Sequence, residues 1–229
     1  MYPKRKPTRD EVRNYRQKRL KERDQRGEER EREKYQLETC GICCALMLLD
    51  LYGRTMYPTP KQKHMLYDNY GSKAFKGTTG AALADLLAKN GLRVRLLHSS
   101  PDMMDNRDGY FTPDIFEPFL QEYHQKAAEC EGRVEIQTGA EINCEVLKQE
   151  LHRGRKLILQ CIVPGDADGI HDHTLHWVVV SGCQGDIFRV CDPEKSVRFL
   201  TGEEMEDYMN TPIGRICLVV EEGRYADAE

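Results

Sequence analysis

The chain has 229 residues, with 34 lysines and arginines against 38 aspartates and glutamates, which gives a formal net charge of -4. The mean hydropathy is -0.68, and no run approaches the roughly 18 apolar residues of a membrane-spanning helix. The N-terminus lacks the apolar core of a secretory signal, so we expect a cytoplasmic protein. Its nine cysteines, an odd number without regular spacing, are then expected to stay free thiols.

Charge divides the chain into two regions. Residues 1–34 contain 14 basic and 8 acidic residues, a net charge of +6, so the rest of the chain carries -10. The segment is predicted to be a solvated helical or disordered basic arm, with contact to an acidic partner as the functional alternative. Nucleic acid is not an expected partner. A single globular domain is predicted over residues 35–222, followed by a disordered tail over 223–229.

The most apolar segment follows the arm. Residues 40–52 are apolar on almost every side and are followed by Gly53, a pattern typical of a buried helix with a glycine stop. The periodicity predicts further helices over residues 61–70, 79–90, 113–130 and 145–152. It predicts strands over residues 92–98, 156–163, 175–182, 186–191, 196–200 and 214–220. Because helices largely precede antiparallel strands, the predicted fold class is α+β.

Cys40, at the start of the buried helix, is a candidate nucleophile. Backbone N–H groups and the helix dipole at such a position favour the thiolate, the form of cysteine that attacks a carbonyl. Gly41 leaves room beside the sulfur, and Gln36 offers an amide donor that could face an oxyanion. The alternative is a buried structural cysteine, since free cysteines usually lie in the core.

His176 and Asp192 form the second candidate cluster. His176 stands at the start of a predicted apolar strand, and Asp192 directly follows the next strand. In an antiparallel pair joined by a short turn at Gln184-Gly185, the start of one strand lies beside the end of the other. We therefore expect a carboxylate that orients an imidazole. The alternatives are a core histidine and a turn-forming aspartate before Pro193.

Three short motifs together resemble a known family. They are the segment Tyr35–Gly41 with its following helix, the His-Trp-Val-Val run at residues 176–179, and Asp192-Pro193. In this order they resemble the bacteriocin-leader-processing peptidases of the papain-like superfamily, their stand-alone relatives and the guanylyl-cyclase-like domain proteins. The resemblance covers roughly residues 35–220 and implies a buried N-terminal helix that carries the cysteine and packs on a C-terminal antiparallel sheet.

The resemblance also implies roles for the candidate residues. Cys40 would be the nucleophile, His176 the base and Asp192 the residue that orients the base, with Gln36 as oxyanion donor. No cofactor is implied. The expected function is a cysteine peptidase that acts on a peptide or protein through a thioester. The same chemistry also serves a papain-fold deamidase or transpeptidase, and an inactive scaffold used for binding is a further alternative.

Two other interpretations compete with the peptidase. Cys40 and Cys43 form a C-x-x-C at a helix start, which is typical of a thioredoxin-like redox site after a strand. The preceding charged segment lacks a strand pattern, and the redox interpretation leaves the histidine and aspartate unused. His171, His173 and His176 could suggest a metal-dependent hydrolase, but the aspartate that this pattern requires directly before the last histidine is missing. No metal is therefore expected.

Overall fold

The computed structural model describes residues 40–54, 60–75, 77–164 and 173–223. The predicted arm at residues 1–34, Gln36 and residues 224–229 of the predicted tail lie outside the described residues. Within the described part of the chain, no helix is both long enough and apolar enough to cross a membrane.

The described residues form six α-helices and seven strands. The helices are α1 (Cys40–Leu51), α2 (Pro60–Tyr70), α3 (Gly80–Lys89), α4 (Pro113–Glu129), α5 (Cys144–His152) and α6 (Gly202–Tyr208), with a 3-10 turn at Arg107–Gly109. The strands are β1 (Leu92–His98), β2 (Glu135–Gln137), β3 (Lys156–Pro164), β4 (His173–Gln184), β5 (Ile187–Cys191), β6 (Val197–Thr201) and β7 (Ile216–Glu222). Five predicted helices and six predicted strands match these bounds closely, whereas β2 and α6 were not predicted.

The strands form one sheet in the order β2-β1-β7-β3-β4-β5-β6. Strands β1 and β2 run parallel, and the other described pairs are antiparallel. The α+β fold class is therefore confirmed. The sheet also includes the predicted strand at residues 92–98, because β1 pairs with β7 along its whole length.

Helices cover both faces of the sheet, because successive side chains of a strand point to opposite faces. Trp177 and Val179 of β4 belong to the core cluster that includes α1 and α3, whereas Val178 and Val180 belong to the cluster that includes α5 and α6. This two-sided burial explains why the sequence of β4 reads as a continuous apolar run rather than an alternating one.

Helix α1 lies in the interior and places Cys40 at its first turn. All its residues except Leu46 and Leu51 are buried, and it packs mainly on β4 and α3. It ends as predicted at Gly53, whose φ of 73° lies in the left-handed region that favours glycine. The Arg54 amide N–H then donates to the Leu49 carbonyl at 2.7 Å.

The stretch between residues 99 and 140 belongs to the same core. Helix α4 contributes Phe119 and Tyr123 to an aromatic cluster with Phe75 and Phe111, in which the rings of Phe75 and Phe111 lie 4.9 Å apart. The stretch then adds β2 to the edge of the sheet beside β1. It is therefore part of the folded domain.

His98 is the buried ionisable group of this region. It ends β1, it is 0% exposed, and its Nε2 lies 3.4 Å from the Tyr123 hydroxyl. Burial lowers the pKa of His98 to about 4, and the nearby His124 contributes in the same direction. Between pH 4 and the usual histidine pKa of about 6.5, the unfolded chain therefore binds a proton here that the native protein excludes.

We predict that this proton makes the domain acid-sensitive. The contribution of His98 to stability is intact above pH 6.5 and is lost as the pH falls toward 4, by roughly 2 kcal/mol at pH 5. Urea unfolding of the parent and of His98→Asn, at pH 7.5 and pH 5, measures this contribution as the difference in pH dependence. His152→Gln replaces an exposed histidine and is the matched control. An equal loss of stability in the parent and His98→Asn would contradict the prediction.

Candidate active site

The site is built from the start of α1, the start of β4 and the turn after β5. Cys40 is the first residue of α1 and its side chain is buried, at 5% exposure. Its sulfur therefore lies at the end of the helix where backbone N–H groups lack helical partners, a position that favours an anion.

His176 contacts both of the other candidate residues. Its Nε2 lies 3.1 Å from Oδ1 of Asp192, and Cys40 lies close enough to be among the groups that raise the pKa of His176. Because Nε2 is bonded to the carboxylate, Nδ1 is the nitrogen available to the thiol. The structure thus brings Cys40, His176 and Asp192 together over more than 130 residues of sequence. Gln36, the fourth predicted site residue, lies outside the described residues.

The β4–β5 hairpin explains why His176 and Asp192 meet. Val179 pairs with Cys191 across the two strands, so the residue after Cys191 lies at the level of Val178, two residues along β4 from His176. The strands are joined by the predicted tight turn, in which Gly185 has a φ of 58°. A register shift between Val180 and Gly182 marks a bulge in β4. The bulge lies between the turn and the paired residues nearest His176.

Asp192 both forms a turn and faces the histidine. Its Oδ1 accepts from the backbone N–H of Glu194 at 2.9 Å and of Lys195 at 3.2 Å, while its own carboxylate is 0% exposed. The turn-forming role, which the sequence offered as an alternative, is therefore combined with the contact to His176. The backbone bonds fix Oδ1 where the imidazole meets it.

The contacts of the pair decide its charge. Burial lowers the pKa of His176, but the hydrogen bonds to Asp192 and Cys40 and the charges of both groups outweigh burial and raise it to about 10. Burial also raises the pKa of Asp192, yet the hydrogen bond and charge of His176 and the two backbone N–H groups hold this pKa below its usual range. The favoured state is therefore an imidazolium beside a carboxylate.

Trp177 supports the helix that carries the cysteine. It is 3% exposed, its Nε1 donates to the Thr78 carbonyl at 2.9 Å, and its own carbonyl accepts from Cys44 Sγ at 3.2 Å. A Cβ at Gly41 would lie 3.1 Å from Cδ1 of Trp177 and from Cδ1 of Leu83. Gly41 thus permits close packing of α1 on β4, a role beyond the access to the sulfur expected from the sequence.

Burial makes most of the other thiols less reactive than an unperturbed cysteine. Burial is the main cause that raises the pKa of six of the other eight cysteines: Cys44, Cys130, Cys144, Cys161, Cys183 and Cys217. A thiol with a raised pKa holds little thiolate at neutral or acidic pH. Cys183 also has a histidine beside it, His152 Nε2 at 3.6 Å, so the feature of the site is a histidine that is itself bonded to a buried carboxylate.

Three further residues surround the pair and were not predicted from the sequence. Arg198 Nη2 lies 3.3 Å from Oδ2 of Asp192 and also donates a short hydrogen bond to the Tyr208 hydroxyl. Cys161 pairs with His176 across β3 and β4, and its Sγ donates to the His176 carbonyl at 3.4 Å. Arg198 could have been noticed in the sequence, because it is an arginine in a largely apolar predicted strand six residues after Asp192.

The predicted metal ligands are placed only in part. His171 lies outside the described residues, and His176 is engaged by Asp192 and Cys40. Among the residues that the structure describes, no cluster of three or more His, Cys, Asp or Glu side chains is arranged to hold a metal ion.

Among the comparisons with known proteins, the comparison with solved structures gives a match. No protein-family model matches the chain, and no curated protein sequence matches it. Among solved structures, the crystal structure of a proposed C39-like peptidase from Bacillus anthracis is similar, with 13% sequence identity and a TM-score of 0.44. The match covers 82% of this chain and 90% of that chain. This likeness is too low to support a function, so the function is inferred from the geometry of the site.

We predict that Asp192→Asn weakens the cysteine–histidine pair. The substitution keeps the shape of the carboxylate but removes its charge, so the burial of His176 is less well compensated and its pKa falls by several units. The alkylation rate of Cys40 at pH 6 should fall about tenfold, because less thiolate is stabilised. Mass spectrometry of limited iodoacetamide labelling measures the rate.

Asp186→Asn is the matched control for that experiment. Asp186 is 62% exposed at the tip of the same hairpin and pairs with Lys148 at 3.0 Å. Its replacement removes one carboxylate from the hairpin without touching His176. An Asp192→Asn variant that labels as fast as Asp186→Asn would contradict the prediction.

Proposed function

We propose that this chain is a cysteine peptidase-like hydrolase that acts on a peptide or protein through a thioester intermediate. The observation that carries the proposal is the position of His176 in a buried site, where its Nε2 lies 3.1 Å from the Asp192 carboxylate and the nearby Cys40 helps to raise its pKa. Nucleophile, base and orienting group are the three parts that acyl transfer by a cysteine requires.

The proposed reaction has two steps. The Cys40 thiolate attacks a substrate carbonyl carbon, the carbon–nitrogen bond breaks, and the His176 imidazolium gives its proton to the departing amine. The acyl group is then held as a thioester. A water molecule, activated by the now neutral imidazole, attacks the thioester and releases the acid, which restores Cys40 and returns a proton to His176. Asp192 keeps the imidazole oriented through both steps.

The oxyanion formed in each step needs donors. We assign this role to the backbone N–H of Cys40 at the start of α1 and, from the resemblance of the sequence, to the Gln36 amide. Two donors aimed at the same oxygen are the usual composition of such a site. No cofactor is part of the proposed reaction.

The thioester mechanism leaves two outcomes open to the same residues. If a glutamine side chain is the acyl donor, the enzyme is a deamidase, and if an amine replaces water, it is a transpeptidase. A non-catalytic binding module would not require the three groups to meet. The redox alternative uses Cys40 and Cys43 but gives His176 and Asp192 no role, so the geometry favours the hydrolase.

We also propose that the protein works in the cytoplasm. All nine cysteines are free, which suits a reducing compartment. The basic arm at residues 1–34 is proposed to contact an acidic partner, on the basis of its net charge of +6.

We predict that Cys40 is the most reactive thiol at pH 6. Limiting iodoacetamide on the native protein, read by peptide mass spectrometry, should label Cys40 at least tenfold faster than the other eight cysteines. The His176→Ala variant should lose this advantage, since the imidazolium that stabilises the thiolate is gone. Cys40→Ser removes the labelled peptide and confirms the assignment.

Cys43→Ser is the matched control, because Cys43 is equally buried in the same turn of α1. A redox pair needs both sulfurs, whereas the hydrolase needs only Cys40, so Cys43→Ser should leave the labelling rate of Cys40 unchanged. If Cys40 reacts no faster than its neighbours in the parent protein, the hydrolase proposal fails and the binding module replaces it.

A further inference from the structure

Two hydrogen-bonded routes lead from Arg198 to His176. The first is direct: Arg198 Nη2 donates to Oδ2 of Asp192 at 3.3 Å, and Oδ1 of the same carboxylate lies 3.1 Å from His176 Nε2. The arginine thus contacts Oδ2, whereas the backbone N–H groups of Glu194 and Lys195 bond Oδ1.

The second route reaches the main chain of His176. Arg198 Nη2 donates to the Tyr208 hydroxyl, and the guanidinium carbon lies 5.1 Å from the centre of the Tyr208 ring. Tyr208 lies near enough to the Cys161 thiol to influence its pKa, and the Cys161 Sγ donates to the His176 carbonyl at 3.4 Å. Together with the first route, these residues link Arg198 to both the side chain and the main chain of His176.

Arg198 is a costly residue at this position. Its side chain is only 32% exposed, and within the described residues no hydrogen-bond partner lies near its buried Nε. Burying a charge with an unsatisfied donor is unfavourable, and an apolar side chain on β6 would avoid both costs. The described side-chain contacts of the arginine are with Asp192, which bonds His176, and with Tyr208.

We propose that Arg198 is a positioning residue: it fixes the Asp192 carboxylate and, through that carboxylate, the orientation of the His176 imidazole. The inference deepens the proposed function and rests on it. Arginine suits the task better than lysine, because the planar guanidinium holds its donors in a fixed geometry.

A positioning role and a purely electrostatic role for Arg198 predict opposite changes in the pKa of His176 when the arginine is removed. If the arginine acted only through its charge, its removal would strengthen the negative field of Asp192 and raise the pKa of His176. If it holds the carboxylate in place, its removal loosens the bond from His176, leaves burial less well compensated and lowers this pKa. Among the described residues, the other neighbours of His176 that bear on this pKa are Cys40 from α1 and Cys161, its pairing partner on β3.

The test uses Arg198→Met, which keeps the length of the side chain and removes its donors and charge. We expect the pKa of His176, followed by NMR of the imidazole protons, to fall by about one unit, and the alkylation rate of Cys40 at pH 6 to fall about tenfold. Arg198→Lys should recover part of the rate, and Tyr208→Phe should lower it by a smaller factor in the same direction. A rise of the His176 pKa, or a rate within twofold of the parent, overturns the proposal.

Two controls separate this role from general destabilisation. Arg155→Met removes an arginine of similar exposure, 23%, that pairs with Glu221 at 2.8 Å on another part of the sheet, and it should leave the labelling of Cys40 unchanged. Labelling of Cys183, which is only partly buried, reports general opening of the fold in the same sample. Should Arg198→Met fail to fold, Tyr208→Phe carries the test alone.

The two proposals can fail independently. If Cys40 of the parent labels no faster than Cys183, the proposed hydrolase is wrong and Arg198 has no pair to position. If the parent shows the fast labelling but Arg198→Met and Tyr208→Phe match it, only the positioning role is wrong.

Discussion

The buried contact between His176 and Asp192 is the interaction on which the site depends. Taking an imidazolium and a carboxylate out of water costs several kcal/mol for each ion unless hydrogen bonds and opposite charges compensate. Here the carboxylate accepts from His176, from two backbone N–H groups and from Arg198, so each of its oxygens is bonded. The compensation is strong enough to raise the pKa of His176 despite its burial.

The sheet positions His176 and Asp192, and α1 positions Cys40 beside them. Strands β4 and β5 bring histidine and aspartate to one level, and the dense packing of α1 on Trp177 sets the distance of the sulfur from the imidazole. Because well-packed interiors relax little, the positions of Cys40 and His176 are set by the core rather than by flexible loops. Chemistry that needs a short contact between two groups benefits from such a rigid frame.

The sequence was sufficient to predict those parts of the structure that local patterns determine. The glycine stop and uniform apolar content of residues 40–52 identified α1, and the turn at Gln184-Gly185 gave the hairpin that joins His176 to Asp192. Strand β2 was missed because it has three residues and pairs in parallel with the distant β1. Helix α6 was missed although Thr201 and Glu204 form a capping box that sequence reading could have found. The contacts of Arg198 depend on the register of β5 and β6, which the sequence does not determine.

Cys40 and His176 are far apart in sequence, so the site depends on the stability of the whole domain. Cys40 and His176 lie on elements that meet only when α1 has docked on β4, and Arg198 joins them only after β5 and β6 have paired. His176, Asp192 and Arg198 lie within the consecutive strands β4 to β6 and their connections, but Cys40 lies on the distant α1, so a partly folded chain cannot hold the complete site. Loss of thiol reactivity in a variant can therefore arise from unfolding as well as from chemistry, and the two causes are distinguished by a second, partly buried thiol such as Cys183, which gains reactivity when the fold opens.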